Sequence, residues 1–248
     1  MTMVKVAVVG ADGRMGTQTV HALTAAADLD LVAQIGRDDS LELAQAAGAS
    51  VIVDFTSPDS VMDTVEKAIS LGLHAVIGTS GFDDNRLATV RNWLDARSDV
   101  GVVIAPNFAM GAVLLMRFAK TAARFFESVE IIELHHPDKV DAPSGTAQHT
   151  ARVIADARAS MSAAPDATKH AIPGARGADV AGIPVHSVRL RGLVAHEEVL
   201  FGGPGETLTI RHDSLDRSGF MPGVLLAVRS VGSHPGLTLG LEPLLDEE

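Results

Sequence analysis

Between Glu130 and Ala147 the chain places His135, His136 and Lys139 just ahead of a Ser144-Gly145-Thr146 turn. Imidazole titrates near neutrality and can give or take a proton, and a lysine ammonium is a second donor, so the cluster is suited to proton traffic. The β-branched and apolar residues Val129, Ile131, Ile132 and Leu134 predict a strand that must end by Pro137, because proline cannot donate into a sheet ladder. The histidines then stand at a strand end. Thr146 opens an alanine-rich segment running to about Ser160, a predicted helix with Ser144 or Thr146 available to cap it. Unpaired amides at a helix start, together with the positive end of the helix dipole, hold a carboxylate or phosphate. With His136 and Lys139 beside them, a small polyanion is the expected ligand.

Two neighbouring histidines also raise a metal centre. Adjacent strand residues point to opposite faces, and the chain has 0 cysteines, so joint ligation of one ion is disfavoured and no metal is expected. The lack of cysteine removes thiol nucleophiles as well, and the 0 tyrosines remove the Tyr-Lys proton relay of many short-chain reductases. Twenty Lys+Arg against 31 Asp+Glu give a net charge of −11, which argues against nucleic-acid or anionic-membrane partners. No segment has the long apolar run of a signal peptide or membrane span, so a cytoplasmic protein is expected. At 248 residues and 46% hydrophobic, the chain has ample length for one large or two smaller packed domains.

The first hundred residues alternate apolar runs with helical patterns. Strands are predicted at Lys5 to Gly10, Leu31 to Ile35, Val51 to Phe55, Ala75 to Gly78 and Gly101 to Ala105. Helices are predicted near Met15 to Ala27, Leu41 to Ala47, Ser60 to Leu71 and Asn85 to Ala96. Strands that are almost uniformly apolar, each followed by a helix, predict a doubly wound parallel sheet covered on both faces. After Asn107 the rhythm changes. A long apolar helix (about Gly111 to Phe126) leads to the histidine strand and the alanine-rich helix. A loop is expected over Ser160 to Gly182, then strands at Val185 to Arg191, Glu197 to Phe201 and Thr207 to His212, the last with one wet face. Met221 to Val231 and Leu237 to Leu241 read as a helix and a strand that return to the first domain. The expected architecture is α/β: a Rossmann-like dinucleotide-binding domain over 1–109, completed by 219–248, and an α+β domain with a mixed or antiparallel sheet over 110–218 for substrate binding and oligomerisation.

Gly10-Ala11-Asp12-Gly13-Arg14-Met15-Gly16 lies directly after the first strand and opens the first helix. Glycines there make the tight turn and let backbone amides approach a pyrophosphate, although the spacing is GxxGxxG and not the commoner GxGxxG. At the end of the second strand, where an acid binds ribose hydroxyls and an arginine accommodates a 2′-phosphate, the chain offers Gly36 and Arg37. Asp38, Asp39 and Arg14 are alternatives in reach, so the choice between NADH and NADPH stays open, leaning towards tolerance of NADPH. Gly78-Thr79-Ser80 and Ala105-Pro106-Asn107-Phe108 follow the fourth and fifth strands, at whose carboxyl ends ligands of such sheets bind.

The segment Glu130 to Ala147 closely resembles the signature of the dihydrodipicolinate reductase family, actinobacterial type. The resemblance extends in order through Gly10 to Gly16, Asp54 to Pro58, Gly78 to Phe82 and Ala105 to Phe108, and so covers essentially the whole chain. It implies NADH- or NADPH-dependent reduction of a cyclic dicarboxylate imine in the diaminopimelate route to lysine. By position it implies His135 as acid/base residue, Lys139 as proton donor, and His136, Gly145 and Thr146 as the substrate grip. Gly10 to Met15, Gly78 to Ser80 and Ala105 to Phe108 would line the cofactor, and a homotetramer is implied. Ser80 stands where the family usually has threonine, and Gly36 where many members have an acid, which argues against strict NADH preference.

Overall fold

The computed structural model describes residues 3–245. The chain runs β1 (Val4–Val9), α1 (Arg14–Ala25), β2 (Leu29–Ile35), α2 (Glu42–Ala46), β3 (Val51–Asp54), α3 (Val61–Leu71), β4 (His74–Ile77), α4 (Asp84–Asp95) and β5 (Gly101–Ile104). It continues through α5 (Met110–Ala122), β6 (Ser128–His135), α6 (Gly145–Ala157), β7 (Ala178–Val180), β8 (Ile183–Arg189), β9 (Ala195–Gly203) and β10 (Glu206–Ser214), and closes with α7 (Met221–Ser230) and β11 (Gly236–Leu239). Two compact units result: one holds the chain through Ala109 and again from Phe220, the other is Met110–Gly219.

The first unit is built on a parallel sheet of order β11-β5-β4-β3-β1-β2. Alternate strand residues supply two buried faces, which is why no polar alternation marked these strands. Val8, Val53, Val76 and Val103 lie in register across one face and are all fully buried. Ala7, Ile52, Ala75 and Val102 line the other, packed with Val61, Val65 and Ile69 of α3 and Val90 and Leu94 of α4. Helix ends follow local chemistry: Asp83 caps α4 by accepting from the Arg86 amide at 2.8 Å, and Gly72, at φ 77°, takes the left-handed cap position after α3.

The second unit carries a mixed sheet of order β10-β9-β6-β8-β7, parallel only between β6 and β8. Val129, Ile131, Val185, Val199 and Phe201 form its buried face, and α5 and α6 pack on each other and on this sheet. Helix α5 stops at Ala122, short of the expected Phe126, because the buried Arg158 just past α6 draws the chain away. Its guanidinium donates to the carbonyls of Ala123 (2.9 Å), Phe126 and Glu127 (2.6 Å). The stretch expected as loop over Ser160 to Gly182 contains β7, which is too short to show a pattern of its own. It exists because Ala181 and Gly182, both at positive φ, fold it back on β8 as a two-residue hairpin. Strand β10 lies at an edge, and Leu208 on its helix-side face is still 37% exposed.

Candidate active site

The alternation of β6 puts Val129, Ile131 and Glu133 on the buried face, and His135, two residues on, follows them to the strand's end. Glu133 is 0% exposed, a carboxylate inside an apolar layer. Its donors hold it ionised: Arg189 forms a fork with Nη1 on Oε2 and Nη2 on Oε1, both 2.8 Å, the Ser144 amide donates to Oε1 at 3.2 Å, and His135 Nδ1 lies 2.5 Å from Oε2. Burial pushes its pKa up, but the hydrogen bonds from His135, Arg189 and Ser187 outweigh that and hold it at about 2. Arg189 Nη2 also donates to the Asp141 carbonyl at 2.7 Å, tying the strand to the loop that follows it.

In that loop Lys139 Nζ meets Asp141 Oδ1 at 2.7 Å, and Asp141 Oδ2 accepts from the Gly145 amide at 3.2 Å. Burial raises the Asp141 pKa, yet Lys139 and the backbone donors leave it below the usual carboxylate value. Helix α6 starts one residue earlier than expected, at Gly145, and of the two candidate caps it is Ser144 whose hydroxyl accepts from the Ala147 amide, at 3.1 Å. A helix start with free amides was expected; the amide of Gly145 is instead occupied by Asp141, an internal anion. A side chain built on Gly145 would meet nothing within 4 Å, so the turn is open to a ligand. His136 is exposed past the strand's end, and Thr146 is partly buried in the first turn of α6.

In the first unit, Gly10 has φ +75°, and a Cβ there would come within 3.0 Å of the Phe55 carbonyl. A Cβ on Gly16 would lie 2.0 Å from the Gly10 oxygen, so only glycine lets α1 pack this closely on the turn. The Gly10 and Ala11 amides donate to Ile35 O, which pins the turn to the end of β2. At the carboxyl ends of β1, β2 and β3 opens a cleft of about 950 Å³, lined among others by Gly10, Asp12, Gly13, Arg37, Asp39, Thr56 and Lys67. That size and position, outside the carboxyl ends where the strand order reverses between β1 and β3, suit a nucleotide. At its rim the Asp39 carboxylate accepts from the Gly36 amide at 2.8 Å, and a Cβ on Gly36 would meet Asp39 and Asp12 oxygens at 3.2 and 3.3 Å.

Arg14 and Met15 open α1, and Ser80 is exposed. Thr79 is 7% exposed, and its hydroxyl donates to Asp54 Oδ1 at 2.6 Å. Asp54, fully buried with its pKa raised by burial against the pull of Thr79 and Thr56, fixes the two loops to each other. Phe55 carries the linkage further: its ring covers Gly78, where a Cβ would sit 2.0 Å from Cε1, and meets Phe108 edge-on at 5.9 Å. Ala105 and Phe108 are buried, Pro106 is exposed, and Asn107 Oδ1 accepts from the Ala109 amide at 2.8 Å. Sequence reasoning passed over Glu133, Arg189, Asp54 and the carboxylate of Asp141. For Glu133 a signal existed: it continues the alternation Val129, Ile131, Glu133, a charge at a position of buried type. Among the described residues no three His, Asp or Glu side chains group as a metal site, and no helix is long and apolar enough to cross a membrane.

A nucleotide turn at the carboxyl edge of a parallel sheet, with a second unit carrying a histidine, a lysine and an open helix start, defines a two-unit oxidoreductase. The chain belongs to the dihydrodipicolinate reductase family: models of the family's N-terminus and C-terminus match residues 4–108 and 111–245. It is 59% identical over 248 residues to the 4-hydroxy-tetrahydrodipicolinate reductase of Streptomyces griseus subsp. griseus, covering 99% of each chain. It is 60% identical over 245 residues to that of Nocardia farcinica, covering 98% of this chain and 99% of the other. Among solved structures, a dipicolinate-bound dihydrodipicolinate reductase from Paenisporosarcina sp. TG-14 superposes with TM-score 0.88 at 38% identity, covering 98% of this chain and 100% of that one.

Proposed function

We propose that the chain reduces 4-hydroxy-tetrahydrodipicolinate to tetrahydrodipicolinate in the diaminopimelate route to lysine, with NADH or NADPH. The observation that carries this reading is the Asp141 carboxylate, which lies on Lys139 and on the Gly145 amide at once. The groups assigned to a substrate carboxylate are therefore already spaced to hold one, and a bound dicarboxylate would take the place of Asp141. His136 and Thr146 complete that grip. The residues of the first unit fit a dinucleotide: the Gly10 to Met15 turn would hold the pyrophosphate, and Arg37 with Asp39 would face the adenosine ribose. When bound, the cofactor supplies a hydride to ring C4 of the substrate, and the 4-hydroxyl group is lost as water. His135 and Lys139 handle the proton that the reaction consumes with each hydride, and the carboxylate grip orients the ring for the transfer.

The outer face of the second sheet, with Ile132, Leu134 and Leu200 only partly covered, supports a homotetramer that buries it, and the site reading goes with a cytoplasmic enzyme. The deciding experiment generates the unstable substrate in place with a coupling enzyme and follows oxidation of each cofactor. Absence of oxidation with both would overturn the proposal.

A further inference from the structure

The backbone and guanidinium donors around Glu133 have a consequence for His135. Arg189 offers only N–H groups, and so does the Ser144 amide. A carboxyl receiving three such donors in a fully buried layer has no use for a proton of its own, so its contact with His135 Nδ1 at 2.5 Å is made by an N–H on the ring. We propose that Glu133 is a positioning residue that keeps the proton on His135 Nδ1, so that Nε2 alone exchanges a proton with the substrate. This rests on the reading of His135 as the acid/base residue. In the donating direction, the imidazolium gives its Nε2 proton to the substrate as hydride arrives and returns as the Nδ1–H imidazole, with no exchange of tautomer between turnovers. The ring is also fixed in orientation, because Glu133 is itself clamped from the neighbouring strand by Arg189 and from the α6 cap by Ser144.

The arrangement makes Glu133→Gln a sharp probe. At the Oε1 place the amide oxygen keeps both the Arg189 Nη2 and the Ser144 donors; the nitrogen then falls at the Oε2 place, where it gives up the Arg189 Nη1 bond and faces His135 Nδ1 as a donor. The ring is driven to the Nε2–H tautomer, as an Asp→Asn change does in a Ser-His-Asp triad.

The experiment is nitrogen NMR of the protein labelled at histidine, with steady-state kinetics of Glu133→Gln and His135→Gln. The expected results are a neutral His135 protonated on Nδ1 in the unaltered protein, and in Glu133→Gln a shift of that proton to Nε2 with kcat down by a hundredfold or more and cofactor KM within about threefold. A neutral His135 protonated on Nε2 in the unaltered protein overturns the proposal, and that spectrum needs no variant to fold. So does a Glu133→Gln enzyme within about threefold of full kcat while His135→Gln is inactive. Full turnover in His135→Gln would be a different failure: the acid/base reading of His135 falls, and with it any catalytic role for Glu133, even if the tautomer is as expected.

Discussion

Lys139 and Asp141 form an ion pair at 2.7 Å in which the second oxygen of Asp141 rests on the first amide of helix α6, 3.2 Å from Gly145 N. A carboxylate of the protein thus holds the place that the site reading assigns to a carboxylate of the substrate. Asp141→Asn weakens that competitor without removing its bulk. Inhibition by pyridine-2,6-dicarboxylate should tighten by about tenfold, the equivalent of one contact near 1.4 kcal/mol. Weaker inhibition would show that Asp141 helps to hold the ligand, which would remove the displacement idea.

Removing the imidazole should act on chemistry and not on cofactor binding. His135→Gln is expected to lower kcat by about 10² to 10⁴ and to leave NADH affinity, measured by calorimetry, within about twofold. Unchanged turnover takes His135 out of the mechanism.

Cofactor choice should turn on two neighbouring residues of opposite charge. With Arg37 lining the cleft and no side chain at Gly36, the enzyme should use NADPH within about tenfold of NADH. Asp39→Ala removes the carboxylate that caps the Gly36 amide and should move the ratio of kcat/KM values towards NADPH, whereas Arg37→Ala should move it back. A thousandfold preference for NADH in the unaltered enzyme would show that the arginine is not used.

Glu197 predicts a pH-dependent stability. It is 5% exposed, its Cα pairs with that of Glu133 across β9 and β6, and its Oε1 has no partner. Burial, opposed by a hydrogen bond from Thr150 and aided by the Glu133 charge, pushes its pKa from 4.5 to about 7. The folded chain therefore holds a proton that the unfolded chain has released, and stability falls as pH rises from about 4.5 to about 7. The full loss is about 3 kcal/mol, and it is absent below the lower value, where both states are protonated. Glu197→Gln removes this dependence. Its melting temperature should exceed that of the unaltered protein by several degrees near pH 8 and converge with it near pH 4; a constant difference at both pH values would sink the assignment.

How much could be read from the chain alone depended on distance along it. The parallel rhythm of the first unit and its glycine turn were legible because burial on both faces leaves apolar runs, and because a turn opening a helix is a local event. Short strands that exist only through pairing were not: Ala178–Val180 has too few residues to show a period and is made by its hairpin with β8. The length of α5 depended on Arg158, which lies 35 residues from Ala123.

The site divides in the same way. The sequence by itself determined that His135, His136 and Lys139 stand between a strand end and a helix start, since strand periodicity, Pro137 and the Ser144 cap all act within a few residues. Only the tertiary structure decided what surrounds them. Arg189 reaches Glu133 across 56 residues of chain, and Thr79 reaches Asp54 across 25, because strand register and the order of strands in a sheet are set by which faces can be buried together. Lys139 and Gly145 each had a role assigned from the chain. That a single carboxylate, Asp141, bridges them follows from the path the loop takes once Arg189 holds the Asp141 carbonyl at 2.7 Å.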